Sequence, residues 1–303
     1  MNIKQKPEDF QVKEVISLNL DKKGPYTYAL MKKKNYNTLD AIKTISNIFK
    51  IGLKQIGFAG SKDKKAVTYQ YISLPRFSKD KINNLELKDI SLKFKGYGNK
   101  RIVLGDVIAN KFKIKFPYKF KKTDFCENYF DDQRFGINSN NHELGKLILK
   151  KDFKKLNSLI EKPTNNYEYN IKLRFYFHSY QSYLFNLCLS KFLSKYPNYE
   201  TNYSLGQFIF IKKKIKNFKM PLLNFDTDLN GNIGKIYKKL IQTEKIKLDD
   251  FLIRQCPFLI SDTQYRDAFF KVEDLNKKRD YIYFILPKGA YATILIRKLI
   301  KYT

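Results

Sequence analysis

The 303-residue sequence has no tryptophan, two histidines and three cysteines. Cys126, Cys188 and Cys256 lie far apart and form no C-x-x-C pair, which argues against a disulfide framework and against a zinc site. His142 and His178 have no cysteine pair or acidic cluster beside them, so no metal site is expected and a histidine-based triad is poorly supplied. That leaves carboxylates, lysines or hydroxyls to carry chemistry. No apolar run reaches about 18 residues, so no membrane-spanning helix is expected. The opening Met1-Asn2-Ile3-Lys4-Gln5-Lys6-Pro7-Glu8-Asp9 holds no apolar signal-peptide core, and a cytoplasmic location is expected. No dinucleotide fingerprint is present. Gly60-Ser61-Lys62-Asp63 lacks the G-x-x-x-x-G-K-[S/T] spacing of a P-loop. No internal repeat of about 20–50 residues is visible.

Acidic residues are also scarce: 29 Asp and Glu stand against 59 Lys and Arg, a net charge of +30. Such a balance fits a polyanionic partner, with nucleic acid the first candidate. Lysine supplies 51 of the 59 basic residues. A coding bias towards A and T explains lysine over arginine, but not lysine over glutamate. At 43% hydrophobic and 29% charged, the chain can bury a core, and its length suggests about two domains.

Residues 10–18 alternate, with Phe10, Val12, Ile16 and Leu18 on one side, and read as a strand. Tyr26 to Met31 reads as another. Thr38 is placed to cap a helix with Leu39, Ile42, Ile45 and Ile48 on one face. Ile56 to Ala59 is short and apolar. A polar loop, Gly60 to Lys65, leads into a strand over Ala66 to Leu74. Phe112, Ile114 and Phe116 alternate with lysines. Glu143 to Leu149 begins a helical pattern running towards Asp152 and beyond, and Lys162 to Asn166 is a turn-rich connector. Tyr180 to Leu193 and Gly234 to Ile246 read as helices. Tyr281 to Leu286 is an apolar strand, Pro287-Lys288-Gly289 a turn, and Ala292 to Ile300 an amphipathic helix. Together these elements give an α+β chain with a mixed or antiparallel sheet.

The most unusual stretch is Gly57-Phe58-Ala59-Gly60-Ser61-Lys62-Asp63-Lys64-Lys65-Ala66-Val67-Thr68-Tyr69-Gln70. One carboxylate sits among three lysines on a loop between two predicted strands. Positive neighbours favour the ionised form of Asp63, and an ionised carboxylate serves as nucleophile or base. The same pattern also describes a plain solvated Lys/Asp turn. Lys32-Lys33-Lys34, Lys62 to Lys65, Lys121-Lys122 and Lys212-Lys213-Lys214 are candidate phosphate contacts, or solvated faces. Ser179 and Ser182 lie on a predicted helix without a nucleophile-elbow glycine pattern, so a serine nucleophile is rejected.

The loop resembles the signature of the TruD family of tRNA pseudouridine synthases, G-x-K-D-[KR]-x-A-x-T-x-Q, through Gly60, Lys62, Asp63, Lys64, Ala66, Thr68 and Gln70. Five further segments resemble the family in order. Pro7 to Glu14 resembles P-E-D-F-x-V-x-E. Leu104-Gly105-Asp106 with Asn110-Lys111-Phe112 resembles L-G-x(4)-N-x-F. Asn128 to Gly136 resembles N-Y-F-G-x-Q-R-F-G. Ser179 to Asn186 resembles S-A-x-x-S-x-L-F-N, and Leu286 to Thr293 resembles L-P-x-G-[SA]-[FY]-A-T. The matches run from residue 7 to residue 293. Asp131 departs from the family by standing where glycine is usual, which bears on the turn after Phe130. The middle region is short for the family.

The resemblance implies a fold: a pseudouridine synthase-like mixed, largely antiparallel sheet flanked by helices, with an inserted α+β TruD-type domain. The expected limits are 1–150 and 262–303 for the catalytic domain and 151–261 for the insert. It also implies an RNA pseudouridine synthase with Asp63 as catalytic nucleophile, acting on tRNA at the uridine near position 13 in the D-arm. Phe10, Asn128 and Tyr291 are implied around the substrate, with Lys62, Phe130, Gln133 and Arg134 in support. The net change is an isomerisation, so no cofactor, metal or ATP is implied, and a monomer is expected. Two alternatives stay open: a synthase for a different RNA site, and a non-catalytic RNA-binding protein of the same fold.

Overall fold

The computed structural model describes residues 6–85 and 87–301. The chain forms two compact units, Met1–Asp124 with Lys271–Gly289, and Phe125–Phe270 with Ala290–Thr303. The second unit thus begins at Phe125, and the stretch 151–261 lies wholly inside it. No described helix is long and apolar enough to cross a membrane.

The first unit is built on an eight-stranded sheet. Its strands are β1 (Phe10–Val15), β2 (Tyr26–Lys34), β3 (Gly57–Phe58), β4 (Val67–Pro75), β5 (Ile90–Gly98), β6 (Ala109–Lys115) and two late strands, Glu273–Lys278 and Tyr281–Pro287. From one edge the order is Glu273–Lys278, Tyr281–Pro287, β6, β1, β4, β2, β5, with β3 added on β4. Only β1 and β4 run parallel, with Gln11 opposite Val67; the other pairs are antiparallel. The sheet is therefore mixed and largely antiparallel, as the resemblance implies.

Helix α1 (Thr38–Phe49) buries Ala41, Ile42, Ile45 and Phe49 against Ala29, Met31, Ile72, Leu74 and Leu92 of the sheet. The expected face is corrected here. Leu39 and Ile48 are exposed, and the spacing of Ala41, Ile45 and Phe49 carries the contact. The cap is corrected too. Asn37 caps α1 by accepting the Asp40 N–H at 2.8 Å, which leaves the Thr38 hydroxyl for another task. A short helix, α2 (Lys79–Asn83), follows β4 and buries Ile82.

The second unit holds α3 (Asn141–Leu149), α4 (Phe153–Leu159), α5 (Asn166–Leu193), α6 (Gly231–Glu244) and α7 (Ala292–Lys301). The helical pattern expected to run through Asp152 breaks at Leu149. Lys151 adopts φ 58°, and Asp152 caps α4 by accepting the Lys155 N–H at 3.0 Å. Helix α5 starts at Asn166, well before the expected Tyr180, behind an Asn165 cap. Its first half exposes Tyr167, Ile171 and Phe175, so no clean apolar stripe marks it. Helix α7 is tied down by Lys298, whose ammonium is buried 3.0 Å from Glu127 and 3.5 Å from the Phe125 ring centre.

Helices α3 and α5 cross closely at Gly145, where an added Cβ would lie 2.2 Å from the Tyr176 carbonyl oxygen and 2.8 Å from the Tyr180 Cβ. Backbone cannot yield as a flexible side chain would. Gly145→Ala should lower unfolding stability by about 1–3 kcal/mol, measured by urea titration, by forcing the helices apart.

Candidate active site

Asp63 sits partly exposed on the loop between β3 and β4, and the backbone beneath it is held by side chains from three elements. From β4, the Gln70 amide donates to the Gly60 carbonyl at 2.7 Å. From α1, the Thr38 hydroxyl accepts the Lys62 N–H at 3.0 Å and donates to the Gln70 Oε1 at 3.0 Å. From β2, the Lys33 ammonium donates to the carbonyls of Asp63 at 3.1 Å and Lys62 at 3.4 Å. Thr38, Gln70 and Lys33 are all buried, so each backbone group they meet would otherwise lose water without a partner.

The glycine of β3 and the glycine of the loop differ. Gly57 has no room: a Cβ there would lie 2.3 Å from the Ile102 carbonyl oxygen. At Gly60 a Cβ would meet nothing nearer than 3.9 Å. The fold demands the first glycine, whereas a methyl at the second would make only ordinary contacts, with Lys62 and Val107.

The lysines around Asp63 are not alike. Lys62 turns inward and pairs with Glu14 of β1 at 2.8 Å, with the Glu14 side chain fully buried and Lys62 nearly so. The second Glu14 oxygen accepts the Tyr71 N–H at 3.0 Å. Lys64 and Lys65 are exposed. The run Lys32 to Lys34 splits as well. Lys33 is buried, which removes it from the phosphate-contact candidates, because its carbon is on an inward-facing position of a paired strand. Lys34 pairs with Glu8 at 2.6 Å, and Lys32 is exposed. Burial pushes the Lys33 ammonium down to about 8, partly offset by the charge of Asp63.

Phe10 opens β1 with 3% of its surface exposed and meets the Phe112 ring edge-on at 6.1 Å between centres. Asp63, Lys62 and Phe10 thus belong to the first unit, and the other expected residues to the second.

In the second unit, Phe130 forms the centre. Arg266 lies over its ring at 4.2 Å and Arg134 at 5.7 Å, while Tyr291 meets it edge-on at 6.3 Å and Phe185 at 5.6 Å. Asn128 donates from its amide to the Asp267 carbonyl at 2.9 Å and accepts from the Arg266 guanidinium. Arg266 also donates from Nε to the Asn128 carbonyl at 2.9 Å. Burial pushes Arg266 down to about 10, with Tyr291 opposing and Arg134 reinforcing the shift. Burial also lowers Arg134. Two guanidinium planes beside aromatic faces suit a planar or phosphate-bearing ligand.

Helix α5 fixes the Asn128–Gly136 segment. Asn186 accepts the Phe130 N–H at 2.9 Å and donates to the Phe130 carbonyl at 2.8 Å. Ser179 donates to the Arg134 carbonyl at 3.0 Å, and the Ser182 hydroxyl accepts from Arg134 Nε at 3.2 Å. The two serines are therefore structural. Gln133 is exposed. Asp131 has φ −83°, a value any residue adopts, so glycine is not needed at its place in this chain. Its carboxylate accepts the Thr293 hydroxyl at 2.7 Å and faces Arg297 Nε at 3.7 Å. Burial raises the Asp131 carboxyl above its usual range, with the Thr293 bond opposing.

Arg266, Thr38 and Glu14 were not among the candidate residues, and Lys33 was one only as a phosphate contact. Glu14 and Gln70 stood inside matched segments and signalled themselves there. Arg266 lies in no motif, and nothing in a lone arginine distinguishes it from a surface charge.

Lys62→Met should cost about 3–5 kcal/mol of stability by leaving Glu14 as a buried, unpaired carboxylate. Adding Glu14→Gln should recover most of that loss, as read by urea titration of the single and double variants.

A family model described as tRNA pseudouridine synthase D (TruD) matches residues 1–173 and 200–299. A protein of Aquifex aeolicus (strain VF5) named tRNA pseudouridine synthase D is 32% identical over 377 aligned positions, covering 99% of this chain and 98% of its own length. One of Thermococcus sibiricus, named probable tRNA pseudouridine synthase D, is 30% identical over 399 positions, covering 99% of this chain and 94% of its own length. Both alignments exceed the 303 residues of this chain, so both relatives carry segments that it lacks. A crystal structure from Methanosarcina mazei, described as a TruD protein, superposes with a TM-score of 0.67 at 22% identity, covering 99% of this chain and 93% of its own. That likeness bears on the fold, while the family model and the relatives carry the membership. The chain belongs to the tRNA pseudouridine synthase D (TruD) family.

Proposed function

We propose that this protein converts a uridine of tRNA, at position 13 in the D-arm, to pseudouridine, with Asp63 as the nucleophile. The observation that carries this reading is the loop around Asp63. It holds the one carboxylate of the family signature on a backbone fixed from β2, β4 and α1. The reaction breaks the bond between N1 of uracil and C1′ of ribose. The base turns, C5 joins C1′, the C5 proton leaves and N1 takes a proton, so atoms balance without a second substrate. A carboxylate can attack C1′, attack C6 of the base, or take the 2′ proton. Fixed geometry serves all three routes, since misplacement by about 1 Å costs on the order of 100-fold in rate.

The target base must leave its stack to meet a side chain. Phe10, Asn128 and Tyr291 are assigned to the substrate, the aromatic rings to base or ribose faces and Asn128 to a polar edge. Of the Asn128 amide, the described contacts use one of two hydrogens and one of two lone pairs. Arg266 and Arg134 join them as cations near Phe130 and Tyr291, suited to phosphate. The net charge of +30 supplies non-specific attraction to RNA. The missing side chain at Gly60, where the fold itself would accept a methyl, is assigned to close approach of the substrate.

Unmodified tRNA treated with wild type should give a carbodiimide-dependent primer-extension stop near position 13, and Asp63→Asn should give none while keeping its tRNA affinity. A stop elsewhere would move the substrate within the same reaction class. No stop on any tRNA, with salt-sensitive binding intact, would leave a non-catalytic RNA-binding protein. Gly60→Ala should keep the wild-type melting temperature within about 2 °C, because the added methyl has room. It should lower kcat/KM by about 10-fold or more, measured on the same tRNA.

A further inference from the structure

Lys33 is the penultimate residue of β2, an interior strand of the sheet, and pairs with Thr68 of β4 on one side and Ile90 of β5 on the other. Its backbone is therefore fixed in the interior of the sheet, and its side chain is fully buried. The ammonium meets three carbonyl oxygens: Tyr36 at 2.6 Å, Asp63 at 3.1 Å and Lys62 at 3.4 Å. An ammonium has three donors and no acceptor, so the three oxygens use its full capacity. Tyr36 belongs to the turn into α1, whose first residue, Thr38, holds the Lys62 N–H. Lys33 thus binds both the turn before α1 and the loop to one point in the sheet. Buried where it is, it cannot reach a phosphate.

We propose that Lys33 is a positioning residue for catalysis, setting the Asp63 carboxylate by gathering the carbonyls of Tyr36, Lys62 and Asp63 onto one ammonium. The proposal rests on the reading of Asp63 as the nucleophile. A residue that only filled space would be replaceable by methionine of similar length. Methionine would leave three carbonyls without this donor and free the loop to shift.

The charged groups facing Lys33 are Asp63, which favours the ammonium, and Lys62, which opposes it. Lys62 is itself drawn to Glu14 of β1, while the partners on β4 and β5, Thr68 and Ile90, carry no charge. Burial lowers the ammonium to about 8. Above that pH a neutral amine keeps two N–H groups for three carbonyls, so the loop loosens and turnover falls. Stability moves the other way. Between about 8 and the ordinary value of 10.5 the unfolded chain holds the proton that the folded chain has lost, so this group adds stability as pH rises. A purely structural lysine would not separate the two trends.

The test uses the full-length protein with Lys33→Arg and Lys33→Met. It measures kcat and KM on unmodified tRNA from about pH 6.5 to 10, and hydrogen exchange across residues 60–66 corrected for intrinsic rates. Wild-type kcat should fall through about pH 8. Lys33→Arg, charged throughout, should move that fall upward by more than about one pH unit. Lys33→Met should lose about 10-fold or more in kcat with KM changed less than about threefold. It should also lose exchange protection over 60–66 but not over β4. Wild-type kcat and loop protection in Lys33→Met would overturn the proposal, as would an alkaline limb unmoved in Lys33→Arg. If Lys33→Met fails to fold, the wild-type and Lys33→Arg profiles decide. If wild type forms no pseudouridine, the functional reading fails, and the exchange measurement still decides whether Lys33 holds the loop.

Discussion

Backbone carbonyls removed from water need donors, and the loop bearing Asp63 cannot supply its own. Gly60, Lys62 and Asp63 each turn an oxygen towards the interior, and the donors come from Gln70 on β4 and Lys33 on β2. Thr38 joins the two systems by holding the Lys62 N–H and the Gln70 side chain at once. The neutral bonds add only about 1 kcal/mol net each and those from the ammonium about 1.5–3, but losing a donor leaves a buried oxygen unsatisfied at a further cost. The arrangement of the loop therefore depends on β2, α1 and β4 together. The partly exposed carboxylate stands at the end of a buried polar network.

The second unit meets the same requirement differently. A single long helix, α5, presents Ser179, Ser182 and Asn186 at the spacing of one face, and all three meet the segment from Phe130 to Arg134. Two motifs that look independent in sequence are two sides of one contact. The reciprocal bonds between Asn186 and the Phe130 backbone fix the ring over which Arg266 and Arg134 lie. A cation so enclosed by aromatic surface gives up hydration, which is why both guanidiniums are pushed down from their ordinary value.

The sheet was legible because its strands alternate: Phe10, Val12, Phe112 and Ile114 are all buried on schedule. The boundary errors came from chemistry that hydrophobic periodicity does not register. Thr38 and Asn37 are both good caps, and only the three-dimensional need of Lys62 for an acceptor decides which one caps. The early turns of α5 carry apolar residues facing solvent, so a helix was there without an amphipathic pattern to show it. Among the site residues, motif position led to Asp63, Asn128, Phe130, Arg134 and Tyr291, but not to Lys33 or Arg266. One lysine in a run of three has nothing in the sequence to mark it as the buried one. Its burial follows from strand alternation, with Met31 and Lys33 facing inward and Lys32 outward. Charge had made the whole run look like surface.

The strand order has a bearing on biogenesis. Strand β6 pairs with β1 on one side and with Tyr281–Pro287 on the other, and the last of these is made only after residues 125–270. During synthesis, β6 therefore stands as an open sheet edge while most of another compact unit emerges behind it. Unpaired edges recruit strands from other chains. The sequence of β6, Ala-Asn-Lys-Phe-Lys-Ile-Lys, places Lys111, Lys113 and Lys115 at every second position along that edge. Alternating lysines penalise pairing with a second copy of the same strand, since like charges would be brought face to face. In the finished protein Lys113 rests its ammonium 4.7 Å from the Tyr281 ring of the late strand. The charges that guard the nascent edge from self-association are compatible with the one strand meant to close it.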